Sequence, residues 1–157
     1  MKATLYIETT IPSYLVSRPS RDLIVAAHQE ITREWWLKRK TDFSIVASQF
    51  VIDEIGAGDV SLAQERLRLL SDIPLLEVTG DVADLASVFV EQRLVPRKSA
   101  TDAAHIAVAT VHHVNFLMTW NCAHLANATI VTKIREACRS EGYECPVICT
   151  PEELMEG

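Results

Sequence analysis

The stretch "LYIETTIPSYL", residues 5–15, decides the fold. An apolar run climbs to Ile7 and then meets a carboxylate, Glu8, followed by two threonines and, at position 12, a proline. A short apolar run bounded in this way reads as a strand. "ATLYI" is therefore the first strand, and Glu8 stands where that strand hands over to a loop.

Working outward, strand-like and helix-like patterns alternate. "RDLIVAAHQEITREWWLKRK" carries apolar residues at helical spacing, "FSIVAS" reads as a second strand, and "SQFVIDEIGAG" begins on a serine cap and ends in glycines. A helix over "DVSLAQERLRLLSD", a strand in "PLLEV", a helix over "GDVADLASVFVEQRLV" and another from Ser99 to about His113 follow. "VNFLMTW" is a strand, "ATIVTKIREACRSEG" a helix and "PVICT" a closing strand. This βα order predicts an α/β architecture with a mainly parallel sheet covered by helices on both faces. Sites in such sheets form beyond the carboxyl ends of the strands. Glu8 is displayed at such an end.

The bulk properties are consistent with one domain spanning residues 1–157: 48% of the chain is hydrophobic, enough for a sizeable core. No run of about 18 apolar residues is present and the amino-terminal residues lack the h-region of a signal peptide, which predicts a cytoplasmic protein with no membrane association. Cys122, Cys138, Cys145 and Cys149 form no C-x-x-C pair and are expected to be buried free thiols. A net charge of −6 argues against a protein that coats nucleic acid nonspecifically, which needs many Lys and Arg contacts to phosphate. It leaves room for an enzyme that holds one phosphodiester on a metal ion.

Oxygen-bearing side chains recur where such a rim would form. Glu8 ends strand one, Glu54 lies in the helix after strand two, Asp102 is in the first turn of "SATDAAHIAVAT", and Asn121 follows "FLMTW". Three carboxylates and an amide brought together repel unless a cation joins them, and oxygen donors suit Mg²⁺ or Mn²⁺. Such an ion lowers the pKa of bound water and offsets charge on a phosphoryl oxygen, so phosphodiester hydrolysis is the matching chemistry.

Each residue also has a plainer reading. Glu8 and Glu54 read equally as solvated surface acids. Asp102, three residues after Ser99, fits a capping-box variant, and Asn121 fits an N-cap. Thr9 and Thr10 are placed to steer phosphate or water, with Thr10 also reading as the cap of a short helix before Ile11-Pro12. His124 is a candidate proton donor or ligand, whereas His105, His112 and His113 read as helix-surface residues. Trp35-Trp36 reads as core or partner packing ahead of base stacking. Arg18, Arg21, Arg93, Arg97 and Lys98 are the cations available to a phosphate backbone, and Arg97-Lys98 precede Asp102 closely.

The ordered set "YIETT", "SQFVIDEI", "SATDAAHIAVA" and "FLMTWN" resembles the PIN domain, and in particular the VapC-like nucleases of toxin-antitoxin pairs, over essentially the whole chain. The resemblance implies a Rossmann-like three-layer α/β/α fold with a parallel sheet of four or five strands and an acidic pocket for Mg²⁺ or Mn²⁺. It implies endoribonuclease activity on RNA, a homodimer, and an antitoxin partner that inserts a peptide into the acidic groove. Glu8, Glu54 and Asp102 match the family's first, second and third acids, Asn121 the position after strand four, and Thr9 or Thr10 the accompanying hydroxyl. Arg97, Lys98 and His124 are then candidate substrate contacts. Two departures stand out: the first acid is Glu8 rather than Asp, and His124 replaces a further Asp. They motivate a second function of a different class, a catalytically weak or inactive PIN-like module that binds RNA or protein.

Overall fold

The computed structural model describes residues 1–157. Five strands, β1 (Ala3–Ile7), β2 (Phe43–Ser48), β3 (Leu75–Leu76), β4 (Phe116–Met118) and β5 (Val147–Cys149), alternate with seven α-helices. The helices are α1 (Thr10–Val16), α2 (Leu23–Lys38), α3 (Gln49–Ile55), α4 (Val60–Leu69), α5 (Gly80–Glu91), α6 (Ala100–Val111) and α7 (Ala128–Ser140). The strands form one all-parallel sheet in the order β3-β2-β1-β4-β5. This is an α/β protein with a PIN-like fold.

The strand order positions the site. From β1 the chain steps outward through β2 to β3, then returns to the other side of β1 for β4 and β5. Right-handed crossovers place the helices of the two halves on opposite faces: α1 meets α2 and α4, α5 meets α6 and α7, and α3 also touches α6 across the divide. The order reverses between β1 and β4, which leaves a crevice at their carboxyl ends. Glu8 follows β1 there, and Thr119 follows β4.

Leu5, Tyr6 and Ile7 are fully buried because helices cover both faces of the central strand. They belong to a hydrophobic cluster of 28 residues that includes Trp35, Phe89, Ile106 and Leu117. Trp35 is core, and its indole Nε1 donates to the Leu154 carbonyl. Trp36 packs against the core with Lys40 over its ring, the packing role expected of this pair.

Several local expectations need correction. Ser48, Ser99 and Thr9 precede helices without any side-chain cap bond, and Thr10 is itself the first residue of α1. The cap roles expected of Ser48, Ser99 and Thr10 are not observed, and the hydroxyls of Ser48 and Thr10 bond Tyr6 and Glu8 instead. The thiols are free as expected, yet Cys122 is exposed and Cys145 only half-buried. No helix is long and apolar enough to cross a membrane.

Candidate metal centre at the β1/β4 crevice

Glu8 is 4% exposed, an unusual place for a carboxylate unless hydrogen bonds replace its water. They do so at one oxygen. Glu8 Oε1 accepts from Thr10 Oγ1 at 2.6 Å, Thr10 N at 3.0 Å and Thr119 Oγ1 at 2.7 Å. Thr10 Oγ1 in turn accepts from Trp120 N at 2.9 Å, which ties the start of α1 to the end of β4. The two threonines thus fix the first acid across the crevice. Glu8 Oε2 takes no protein donor, and only Arg66 Nε and Thr79 Oγ1 are buried side-chain atoms without partners, so Oε2 is open to solvent.

Glu54 reaches the same place from α3. Its Oε1 accepts from Thr9 Oγ1 at 2.6 Å and contacts His105 Nε2, while Oε2 again has no protein donor. Burial would raise the Glu54 pKa, but the His105 and Thr9 hydrogen bonds and the adjacent imidazole outweigh it, and the carboxyl lies below its usual range. Because the folded-state value is depressed, the stabilisation is complete above the ordinary Glu pKa of about 4.3 and is lost as pH falls through the folded value. The melting temperature of the wild type relative to Glu54→Gln is expected to fall as the pH is lowered below about 4. A difference independent of pH would contradict this.

His105 was expected on a helix surface and is instead fully buried. The reason lies in α6, which is enclosed on nearly every side: Ala103, Ile106, Ala107, Val108, Ala109 and Thr110 are buried with it. His105 Nδ1 pairs with Tyr6 Oη at 2.6 Å, and Tyr6 Oη with Ser48 Oγ at 2.7 Å. Burial pushes the Tyr6 phenol far up, so it keeps its proton. An ionised Glu54 has no proton to give, so Nε2 must carry the hydrogen of the His105–Glu54 bond. The ring therefore orients the carboxylate.

Ligand atoms of Glu8, Glu54 and His105 lie within 4.8 Å of one another. Proximity alone would make His105 a third ligand, but its two nitrogens are engaged by Tyr6 and Glu54. The donor set left for an ion is the pair of free carboxylate oxygens. Two hard oxygens on different elements suit Mg²⁺ or Mn²⁺, which bind through one or two carboxylates and retain waters. The residues fit the group.

Asp102 lies outside that close cluster. Its Oδ1 accepts from Asn121 Nδ2 at 3.2 Å, and its Oδ2 pairs with His124 Nδ1 at 3.0 Å. Asn121 also accepts from His124 N through Oδ1 at 3.0 Å, a cap-like turn, and its own N–H donates to Thr119 Oγ1 at 2.9 Å. Through Thr119 this second group is joined to Glu8. The structure thus brings Glu8, Glu54, Thr9 and Thr10 together, sets Asp102, Asn121 and His124 beside them, and gives Arg97 and Lys98 no bond to any of these acids. Tyr6, Ser48, His105 and Thr119 are site residues that the sequence does not mark as such: Ser48 reads there as a cap and His105 as a helix-surface residue. His105 stands three residues after Asp102, one helical turn along, which was the signal available.

An all-parallel sheet with two carboxylates at its switch point is an α/β scaffold whose crevice lies beyond the carboxyl ends of its strands. A chain in the crystal structure of VapBC2 from Rickettsia felis bound to a DNA fragment from their promoter superposes with a TM-score of 0.55 and 13% identity, covering 94% of this chain and 98% of that one. That likeness shows the fold. No family model matches the sequence, and no curated protein matches it.

Proposed function

We propose that this protein is a Mg²⁺- or Mn²⁺-dependent endoribonuclease, the toxin of a toxin-antitoxin pair acting as a homodimer. The observation that carries the reading is the pair of carboxylates, Glu8 and Glu54, each fixed through Oε1 by hydroxyl donors and each left with a free Oε2 at the switch point. When bound, the ion supplies an acidified water and offsets phosphoryl charge. Glu8 and Glu54 hold it, Thr9, Thr10 and Thr119 fix their carboxylates, and His105 fixes the orientation of Glu54 from behind. Asp102, with Asn121 and His124, completes the ligand set directly or through water and orients the attacking water. Arg97 and Lys98 attract the RNA backbone at the entrance to α6. The VapBC2 likeness supports an antitoxin partner, and the acidic balance of the chain suits a basic segment of it.

A second reading, a non-catalytic PIN-like module that binds RNA or protein, is favoured by one observation. Both oxygens of Asp102 already take protein partners, one of them His124. Titration calorimetry with Mn²⁺, paired with cleavage of total tRNA and of a mixed-sequence single-stranded RNA, separates the two. Binding with turnover that EDTA abolishes is expected, and no heat up to millimolar metal would favour the module. His105→Gln is expected to weaken Mn²⁺ binding about 10- to 100-fold, the usual cost of removing a residue that orients a ligand. Wild-type affinity in that variant would remove His105 from the centre.

A further inference from the structure

Helices α5, α6 and α7 end in the same way. Arg93 N donates to Val90 O and Leu94 N to Phe89 O after α5; His113 N to Thr110 O and Val114 N to Ala109 O after α6; Gly142 N to Arg139 O and Tyr143 N to Cys138 O after α7. The φ angles at the turning residues are 59° at Arg93, 58° at His113 and 85° at Gly142. Glycine is the residue this left-handed position favours, because a Cβ crowds the backbone there. α7 uses glycine. α5 keeps an arginine against the conformational cost.

Arg93 lines a cavity of about 400 Å³ together with Lys133 of α7 and His124 of the loop after β4. No acidic side chain lines it. Neither Arg93 nor Lys133 enters an ion pair, in a chain where Asp and Glu outnumber Lys and Arg by 21 to 15. His124 is held to Asp102 through Nδ1, so its Nε2 is left without a protein partner. Three cationic or donor groups from three separate elements thus converge on one hollow, whose wall continues through His124 to Asp102 beside the candidate centre.

We propose that this cavity is a subsite for a phosphate of the RNA backbone flanking the scissile bond, with Arg93 and Lys133 as its cationic walls and His124 joining it to the centre. The inference rests on the ribonuclease reading above. Guanidinium and ammonium groups recognise phosphate through charge-assisted hydrogen bonds, the first as a planar fork and the second as a point charge. Contacts away from the reacting atoms act on binding rather than chemistry, so they show in KM and not in kcat.

The test compares Arg93→Gly, Lys133→Ala and His113→Gly with the wild type, using Mn²⁺-dependent cleavage of total tRNA and of a mixed-sequence single-stranded RNA over a range of salt, with thermal melting alongside. Arg93→Gly and Lys133→Ala are each expected to raise KM about tenfold at unchanged kcat. Each should also shallow the log-log salt dependence of kcat/KM by about 0.7. Arg93→Gly is expected to melt about 2 °C or more above the wild type, because glycine relieves the left-handed turn while the phosphate contact is lost. His113→Gly releases the same strain at the end of α6 and is expected to melt higher with wild-type kinetics. Wild-type KM and salt slope in Arg93→Gly and Lys133→Ala would overturn the subsite alone, as would an equal loss in His113→Gly. Normal RNA kinetics with lost binding of polyglutamate would reassign the cavity to an acidic protein partner and overturn it too. A wild type that cleaves neither RNA would remove the ribonuclease reading and the subsite with it.

Discussion

Asp102→Asn is expected to lower Mn²⁺-dependent RNA cleavage by about a hundredfold or more while leaving the protein folded. The substitution removes one negative charge from the proposed ligand set. It also places an amide that can donate where Asn121 Nδ2 and His124 Nδ1 now meet acceptors at 3.2 and 3.0 Å. His124 Nδ1 can accept from that amide only with the ring proton on Nε2, so the pair survives in the other tautomer while the site loses the charge compensation that aligns water and phosphate. Asp102 is only partly buried, so melting should shift by no more than a few degrees. A gel assay on highly purified protein with melting curves measures both, and undiminished cleavage would show that Asp102 has no part in the reaction.

The second large effect concerns stability, and it sets Glu8→Ala against Glu8→Gln. Alanine strips the acceptor from Thr10 N, Thr10 Oγ1 and Thr119 Oγ1 at a position 4% exposed, and each buried donor left unpaired costs about 1–3 kcal/mol. Partial relaxation of the hydroxyls brings the expected total to about 3 kcal/mol, or a fall in melting temperature of about 6–12 °C. Glutamine retains an oxygen at the Oε1 position and is expected to melt within about 4 °C of the wild type while binding Mn²⁺ far more weakly. Differential scanning calorimetry and a metal titration read the two effects separately. Equal melting of the two variants would mean that the threonine donors do not depend on Glu8.

The contrast between these variants also explains what the sequence could and could not reveal. Periodicity found the strands because they are short apolar runs between polar turns: "ATLYI" and "FSIVAS" coincide with β1 and β2. It overran at β3 and β4, where Leu75–Leu76 and Phe116–Met118 alone pair. The flanking Pro74, Asn115 and Thr119 keep one backbone bond each to the neighbouring strand, but beyond them the pairing stops, and the Thr119 hydroxyl and Trp120 N–H bond Glu8 and Thr10 Oγ1. The plainer readings of Ser48 and Thr10 as helix caps failed for a related physical reason. Local capping competes with tertiary partners, and here Tyr6 and Glu8 claim the hydroxyls.

His105 was misplaced because histidine is ordinarily a surface or half-buried residue and nothing in one helix shows that its neighbours close over it. Its burial depends on Tyr6, 99 residues away, supplying a partner for Nδ1. Asp102 and Asn121 were picked out individually, but their mutual bond and its extension to His124 arise from the meeting of α6 with the loop after β4. Long-range pairings of this kind leave no periodic trace. The left-handed Arg93 was equally silent, since arginine at a helix end reads as a favourable charge for the dipole.

The most direct measurement is a crystal soaked in Mn²⁺ and examined for anomalous density between Glu8 and Glu54. One peak within about 2.0–2.6 Å of a free oxygen of each carboxylate, with His105 still bonded to Glu54, is the expected result. Density at neither carboxylate in a crystal saturated with metal, or a peak coordinated by His105 after it leaves Glu54, would contradict the proposal that the two acids hold the ion and the imidazole holds the acid.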